Sequence, residues 1–308
     1  MGMDLKEKMA RVFGVGEALA VIAVICISLG VVYQRAAAVH ANAIVGSFIN
    51  IIPVFVAGLI YLWLSWRITG MTFGNPSRWA IAAGVGGALS ANMIGLPIFL
   101  KALSLGGAVI VTPIVASSVI WASVLARIII GQRLSKYVYL GFGIFGAGMI
   151  LLMAGQMSAT PLSAQWYFAV PLALAVAILY GVTMSLTGYS LANGLSQSGC
   201  VAINGIASLA GLGVLVIIQH RPVTIFQADS LKLILAGILQ AAGLIASTAA
   251  FAKTTVVSVS TILVTNIIWT SLLTWAFLGD ELNPLMAIAL GIALCGLIVV
   301  QYSRSKGR

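Results

Sequence analysis

Gly131-Gln132-Arg133-Leu134 and Gly279-Asp280-Glu281-Leu282 stand 148 positions apart, each at a polar turn between two apolar runs. Sliding the chain over itself by 148 positions extends the match well beyond the turn: Ala88 falls on Ala236, Gly95 on Gly243, Leu96 on Leu244, Ile114 on Ile262, Trp121 on Trp269, Ser123 on Ser271, Leu125 on Leu273, Gly143 on Gly291 and Gly148 on Gly296. No gap is needed over the three apolar runs that these matches span in each half. The chain therefore reads as two copies of one unit, residues 1–156 and 157–308.

The solvent for which this repeat is built follows from composition. Of 308 residues, 61% are hydrophobic and 7% charged, where soluble domains carry roughly 25% charge. Mean hydropathy is +1.12. That composition excludes a soluble enzyme, a disordered tail and a coiled coil, and leaves an integral membrane protein. The net charge of +10 does not point to nucleic acid, because the basic residues sit singly between apolar runs and form no dense patch. Cys26, Cys200 and Cys295 are far apart and show no ligand spacing. Neither a disulfide framework nor a metal is indicated, and no cofactor is expected.

A spanning helix needs about 20 mostly apolar residues. Ten runs qualify: 15–34, 43–65, 79–100, 107–129, 137–155, 166–189, 197–218, 231–252, 255–278 and 284–302. Their connections are short, the longest being Trp66 to Arg78 and Gln219 to Ser230. Function must then reside inside the bundle. The first run, preceded by Lys6, Lys8 and Arg11 and followed by Ala41-Asn42-Ala43, has some marks of a cleaved leader. It is longer than an h-region, and Arg35 and His40 intervene before that site, so it is read as a span.

Ten spans distribute the basic residues unequally. Lys6, Lys8, Arg11, Arg67, Arg78, Arg127, Arg133, Lys136, Lys253, Arg304, Lys306 and Arg308 share one side; Arg35, Lys101, Arg221 and Lys232 share the other. Positively charged loops face the cytoplasm, which places both termini there, in a cell inner membrane. Each half holds five spans, an odd number, so the second copy enters the bilayer from the opposite face. The expected fold is all-α and integral to the membrane, with ten transmembrane helices in a 5+5 inverted-topology repeat. Inverted repeats related by an axis in the membrane plane are the usual construction of alternating-access transporters.

Ten helices in two inverted fives, each half with a Gly-x-x-Leu turn before a helix carrying the Gly143/Gly148 or Gly291/Gly296 spacing, resemble the EamA-type members of the drug/metabolite transporter superfamily. The resemblance covers nearly the whole chain, and its loose motifs select no substrate. It departs in the first helix, where a Trp-Gly pair common in relatives is replaced by Ala23-Val24-Ile25-Cys26. The resemblance implies a central cavity formed by helices three, four, eight and nine, and export as the direction of transport.

Substrate sites in such carriers lie near the midplane, where the repeats meet. Asn92 in helix three maps to Gln240 in helix eight, and Ser117 and Ser118 in helix four map to Thr265 and Asn266 in helix nine. Trp121 and Trp269 follow one turn on, too deep for the interfacial belt assigned to Trp63, Trp66, Trp79 and Trp166. The candidate substrate-binding residues are Asn92, Gln240, Ser118, Thr265, Asn266, Trp121, Trp269 and, as a further member in helix six, Tyr180. Each has a plainer use: hydroxyls and amides bind helices to one another at about 0.6–2 kcal/mol apiece, and a deep Trp can simply pack. Ser47, Asn50 and Asn204 are assigned to packing or hinges. Gly143-x-x-x-Ala147 and Ala287-x-x-x-Gly291 are expected to be points of close helix approach.

Absences narrow the chemistry. Glu17 is the one acid inside a span, near its end, so the central carboxylate of a proton-coupled multidrug antiporter is missing. No Gly-x-Ser-x-Gly elbow, His-Glu-x-x-His pair or pair of intramembrane acids occurs, and catalysis is not expected. The partners expected are the bilayer and a small neutral or zwitterionic metabolite, amino-acid-like, with one chain sufficient for a pathway. A lipophilic or quaternary cation held over Trp121 and Trp269 is the alternative cargo.

Overall fold

A computed structural model describes residues 14–70, 73–118, 120–122, 124–125, 136–158, 166–220, 222–223, 227–253, 262–263, 265–280 and 282–306. Ser123, Glu281 and the turn from Gly131 to Leu134 lie outside them. The regular structure is helical: α1 Val15–Ala38, α2 Ala43–Thr69, α3 Arg78–Ala88, a π-helical turn Leu89–Gly95, α4 Leu96–Ala116, α5 Lys136–Ser158, α6 Trp166–Ala192, α7 Gln197–Ile218, α8 Ala228–Lys253, α9 Asn266–Leu278 and α10 Pro284–Lys306. Six described helical stretches are long and apolar enough to cross a membrane, while 139–152, 266–278 and 284–299 are shorter apolar helices. The chain is thus all-α and multi-pass.

Local chemistry sets the boundaries. Asn42 accepts from the Ile44 and Val45 N–H groups and Ser77 from Ala80, meeting the orphan donors at the starts of α2 and α3. Between α3 and α4 the helix widens into its π-turn just before Pro97. A proline ring clashes with the carbonyl four residues back, and an extra residue per turn relieves the crowding. The sequence reading ends the third span at residue 100; the structure carries helix on through Gly106. The break falls instead at Gly107, at φ 69° and ψ 170°, a conformation open to glycine and not to the flanking side chains.

α4 lies deep in the bundle. Phe99, Leu100, Leu103 and Ile110 are buried with Ala169, Ala173 and Val176 of α6 and Val31 of α1. Apolar side chains elsewhere face outward, among them Ile60, Ile150, Ile217 and Ile288. Such a surface is stable only in hydrocarbon. Trp63, Trp66 and Trp79 are exposed too, with the Arg67 guanidinium 5.4 and 5.5 Å from the first two rings and that of Arg78 5.7 Å from the third. Amphipathic rings beside cations suit a membrane boundary.

The helices pair as α1 with α8, α6 with α3 and α4, α2 with α7, and α5 with α10. Two of these contacts are made by backbone at glycine. A Cβ on Gly148 would lie 2.6 Å from the Ala293 nitrogen and 3.0 Å from the Ala289 carbonyl oxygen; one on Gly296 would collide with Phe145 and Gly141. Likewise Gly58 abuts Val201 and Ala202, and Gly205 abuts Phe55. The close approach expected at Gly143 and Gly291 falls elsewhere, since both face open space. Their partners Gly148 and Gly296 are on the side of each helix turned to its neighbour.

Gly296→Val and Gly148→Val should each lower the stability of purified protein by about 1–3 kcal/mol through overpacking. Gly143→Ala and Gly291→Ala should leave it unchanged or raise it by about 0.5–1 kcal/mol, because alanine is the better helix former. Thermal unfolding followed by monodispersity in detergent distinguishes the two pairs.

Candidate functional site

Amides in hydrocarbon must find partners within the protein, and their partners show how the site is assembled. Asn92 lies in the π-turn, which rotates it towards α7. Its Nδ2 donates to Asn204 Oδ1 at 3.0 Å and to Ser208 Oγ at 2.8 Å, and Ser208 in turn reaches the Ala88 carbonyl at 3.4 Å. Asn204, read in sequence as a packing residue, is the acceptor that fixes Asn92. Ser208 carried no signal that separated it from other serines in apolar runs.

Asn266 opens α9 and organises a second cluster. Its Oδ1 accepts from Ser28 Oγ at 2.6 Å and from Thr270 Oγ1 at 2.7 Å. Thr265 turns its hydroxyl back to the Ile262 carbonyl at 2.6 Å, and Ser117 does the same to Ile114 at 2.6 Å. Ser118 is buried, and its carbonyl lies 3.1 Å from where a Cβ of Gly181 would stand, with the Trp121 Cβ at 2.7 Å from that point. Tyr180 packs its ring on Gly95, 3.2 Å from the corresponding point there. Ser118 and Trp121 thus back onto Gly181 of α6, and the neighbouring Tyr180 packs on the end of the π-turn.

The remaining candidates diverge. Gln240 on α8 lies against Gly30 of α1, its Cγ 3.2 Å from a Cβ built there, and makes no hydrogen bond with another described residue. Asn92 commits its N–H groups to α7, so no hydrogen bond joins these two amides. Trp269 is 46% exposed, unlike its partly buried counterpart Trp121. Asn50, also read as packing, ties three helices by accepting from Gln34 Nε2 at 3.3 Å and donating to the Leu233 carbonyl at 3.0 Å.

The described acids lie at or just past helix ends, and Lys101, within α4, is exposed. Among the described residues, Glu17 lies in the first turn of α1, Asp229 pairs with Lys232 at 2.8 Å at the start of α8, and Asp280 pairs with Arg35 at 3.3 Å. No group of three His, Cys, Asp or Glu side chains among them is placed to hold a metal ion. The interior offers amide and hydroxyl groups, able to orient a polar molecule by hydrogen bonds without a fixed charge. Buried hydroxyls with no partner among the described residues occur as well, on Thr112 and Ser271.

Residues 14–154 match the EamA-like transporter family. No curated protein sequence matches the chain. A solved structure titled only "Crystal structure of protein" superposes with a TM-score of 0.66 at 12% identity, over 94% of this chain and 98% of its own. That likeness shows a shared fold.

Asn266→Ala leaves the Ser28 and Thr270 hydroxyls without their acceptor and should cost about 1–3 kcal/mol of stability. Ser28→Ala should cost about 0.6 kcal/mol, and the double variant less than the two together. Thermal unfolding of the three variants measures the coupling.

Proposed function

We propose, from the membership of residues 14–154 in the EamA-like transporter family, that this membrane transporter of the drug/metabolite type moves a small neutral or zwitterionic metabolite by alternating access between two inverted five-helix repeats. The family assignment covers the first repeat. The second enters through helix pairing. Gly148 meets residues 289 and 293, and Gly296 meets 141 and 145; each set is the other displaced by 148. The α2–α7 contact is reciprocal in the same way, Gly58 against Ala202 and Gly205 against Phe55, with a displacement of 147. Two like units packed through an in-plane axis satisfy both relations. A single unrepeated bundle has no reason to.

The observation that carries the substrate class is the uncharged polar interior. Asn92 with Asn204 and Ser208 on one side, and Ser28 with Asn266 and Thr270 on the other, offer donors and acceptors on α1, the π-turn, α7 and α9. Gln240 adds an amide with no hydrogen bond to the described residues. A zwitterion presents a carboxylate to amide N–H groups and an ammonium to amide and hydroxyl oxygens, and its two charges cancel, so no buried counter-charge is required. Amino-acid-like compounds fit this best. Cation–π capture between Trp121 and Trp269 is disfavoured by the exposure of Trp269. Export across a cell inner membrane, both termini in the cytoplasm and a pathway complete within one chain belong to the same reading.

A thermal-shift screen of amino acids and related zwitterions against the purified protein should find a stabilising ligand, since binding the folded state alone raises apparent stability. Asn92→Ala and Gln240→Ala should abolish that shift. Uptake of the hit into proteoliposomes should not respond to an imposed membrane potential, whereas a lone cation would move with about 2.3 kcal/mol per 100 mV. Stabilisation by quaternary ammonium compounds only, with potential-driven uptake, would overturn the zwitterion reading.

A further inference from the structure

The two seams that bind the repeats to each other are not chemically equal. Gly243 packs on Ile27 of α1, and its counterpart Gly95 packs on Tyr180 of α6. Ser28 bonds Asn266, and the counterpart of Asn266, Ser118, meets Gly181. A displacement of 153 positions thus carries α1 onto α6. It also carries Arg35 to Gly188, where an added Cβ would meet nothing within 4 Å. The displacement of 148 carries Asp280 to Gln132. The Arg35–Asp280 ion pair therefore belongs to one seam, and its counterpart positions are uncharged.

The geometry around Asp280 joins three elements. Its Oδ1 accepts from the Arg35 guanidinium at 3.3 Å, and its Oδ2 from the Ala108 N–H at 3.0 Å. That N–H is available because Gly107 breaks α4 immediately before it. Gly107 is also where any side chain would press on the carboxylate, 3.2 Å from Oδ2. Gly279, at φ 68°, ends α9 and turns Asp280 inward. The pair is mostly buried, with side-chain exposures of 15% and 8%. The Arg35 Nε has no partner among the described residues. Thr112, four residues along α4 from Ala108 and on the same face, and Ser271 on α9 are buried with hydroxyls that have no partner among those residues.

We infer that Arg35, Asp280 and the Ala108 N–H form a releasable latch closing one mouth of the pathway, and that Thr112 and Ser271 lie in the vestibule wetted when it opens. The inference rests on the alternating-access reading above. Unpartnered hydroxyls inside a charged clasp, Thr112 about one turn and Ser271 about two turns from it, are costly while dry and gain water on release. The counterpart positions Gly188 and Gln132 cannot form the same ion pair, so this clasp belongs to one mouth alone.

The test needs no substrate. In a background with Cys26, Cys200 and Cys295 replaced by serine, Thr112→Cys or Ser271→Cys is labelled with a membrane-impermeant maleimide in right-side-out and inside-out vesicles, with exposed His40→Cys as the reference. Both buried positions should label much more slowly than His40→Cys. Arg35→Gln or Asp280→Asn should speed them about tenfold, from the side that labels His40→Cys, within the range of ordinary coupling between states. Asp280→Asn retains an acceptor for Ala108, so a folded variant isolates the loss of charge, and Arg35→Gln gives the same reading if that variant fails to assemble. Unchanged labelling in the variants, or acceleration from the opposite side only, overturns the latch. Unchanged labelling together with normal ligand stabilisation would leave the transporter reading standing, whereas faster labelling with no transported ligand would support the latch and weigh against the substrate assignment.

Discussion

Helices in lipid gain nothing from burying apolar side chains against one another, because the acyl chains are equally apolar. Contact has to come from close approach of backbones and from polar groups that hydrocarbon cannot satisfy. Gly148 and Gly296 supply the first between α5 and α10, and Gly58 and Gly205 between α2 and α7. At each crossing a missing side chain lets one helix rest on the carbonyls and amides of its neighbour. Both contacts are reciprocal, and Asn283 at the start of α10 adds a bond from its Nδ2 to the Gly155 carbonyl of α5 at 2.9 Å. They provide a frame against which α1, α4, α6, α8 and α9 are arranged.

Elsewhere in the bundle, packing is interleaved with hydrogen bonds whose partners come from distant parts of the chain. Asn92 reaches α7, Asn266 reaches α1, and Asn50 reaches both α1 and α8. Each such bond is worth about 0.6–1.7 kcal/mol in a membrane. That is enough to select an arrangement and small enough to be exchanged for water or a ligand. Under the proposed transport reading, an interior made of such bonds is neither locked nor charged, in keeping with a passenger that must leave again.

Much of the architecture was legible because lipid imposes periodic demands on sequence. Runs of about 20 apolar residues separated by polar turns carried the multi-pass, all-helical fold directly. What sequence misplaced were quantities that depend on rotation about a helix axis. Gly143 and Gly291 have the same close-approach spacing as any small-residue motif, yet the faces turned inward carry Gly148 and Gly296. Trp269 sits at the depth of Trp121, but α9 turns it outward. Asn92 and Gln240 are equivalent in register and differ in partners, because the π-turn before Pro97 re-aims the first. The Arg35–Asp280 contact spans 245 residues, and no pattern along one helix signals it. Its trace in sequence was that both residues fall on the same side of the bilayer.

An ion pair at this place also bears on how readily the bundle can change state. Breaking a buried pair and leaving its charges dry costs about 3–5 kcal/mol, too much for a step repeated in every cycle. A pair whose two groups enter water together loses only what exposed ion pairs are worth, about 0–1 kcal/mol. Arg35 and Asp280 lie at the end of α1 and just past the end of α9, where the helices give way to turns. Separation there exposes both groups to solvent. The same pair about two turns deeper along α1, near Ser28, would part into a confined interior. Position along the helix, more than the chemistry of the pair, is therefore what makes the contact reversible, and the uncharged hydroxyl and amide contacts beneath it suit the part of the seam that stays away from bulk water.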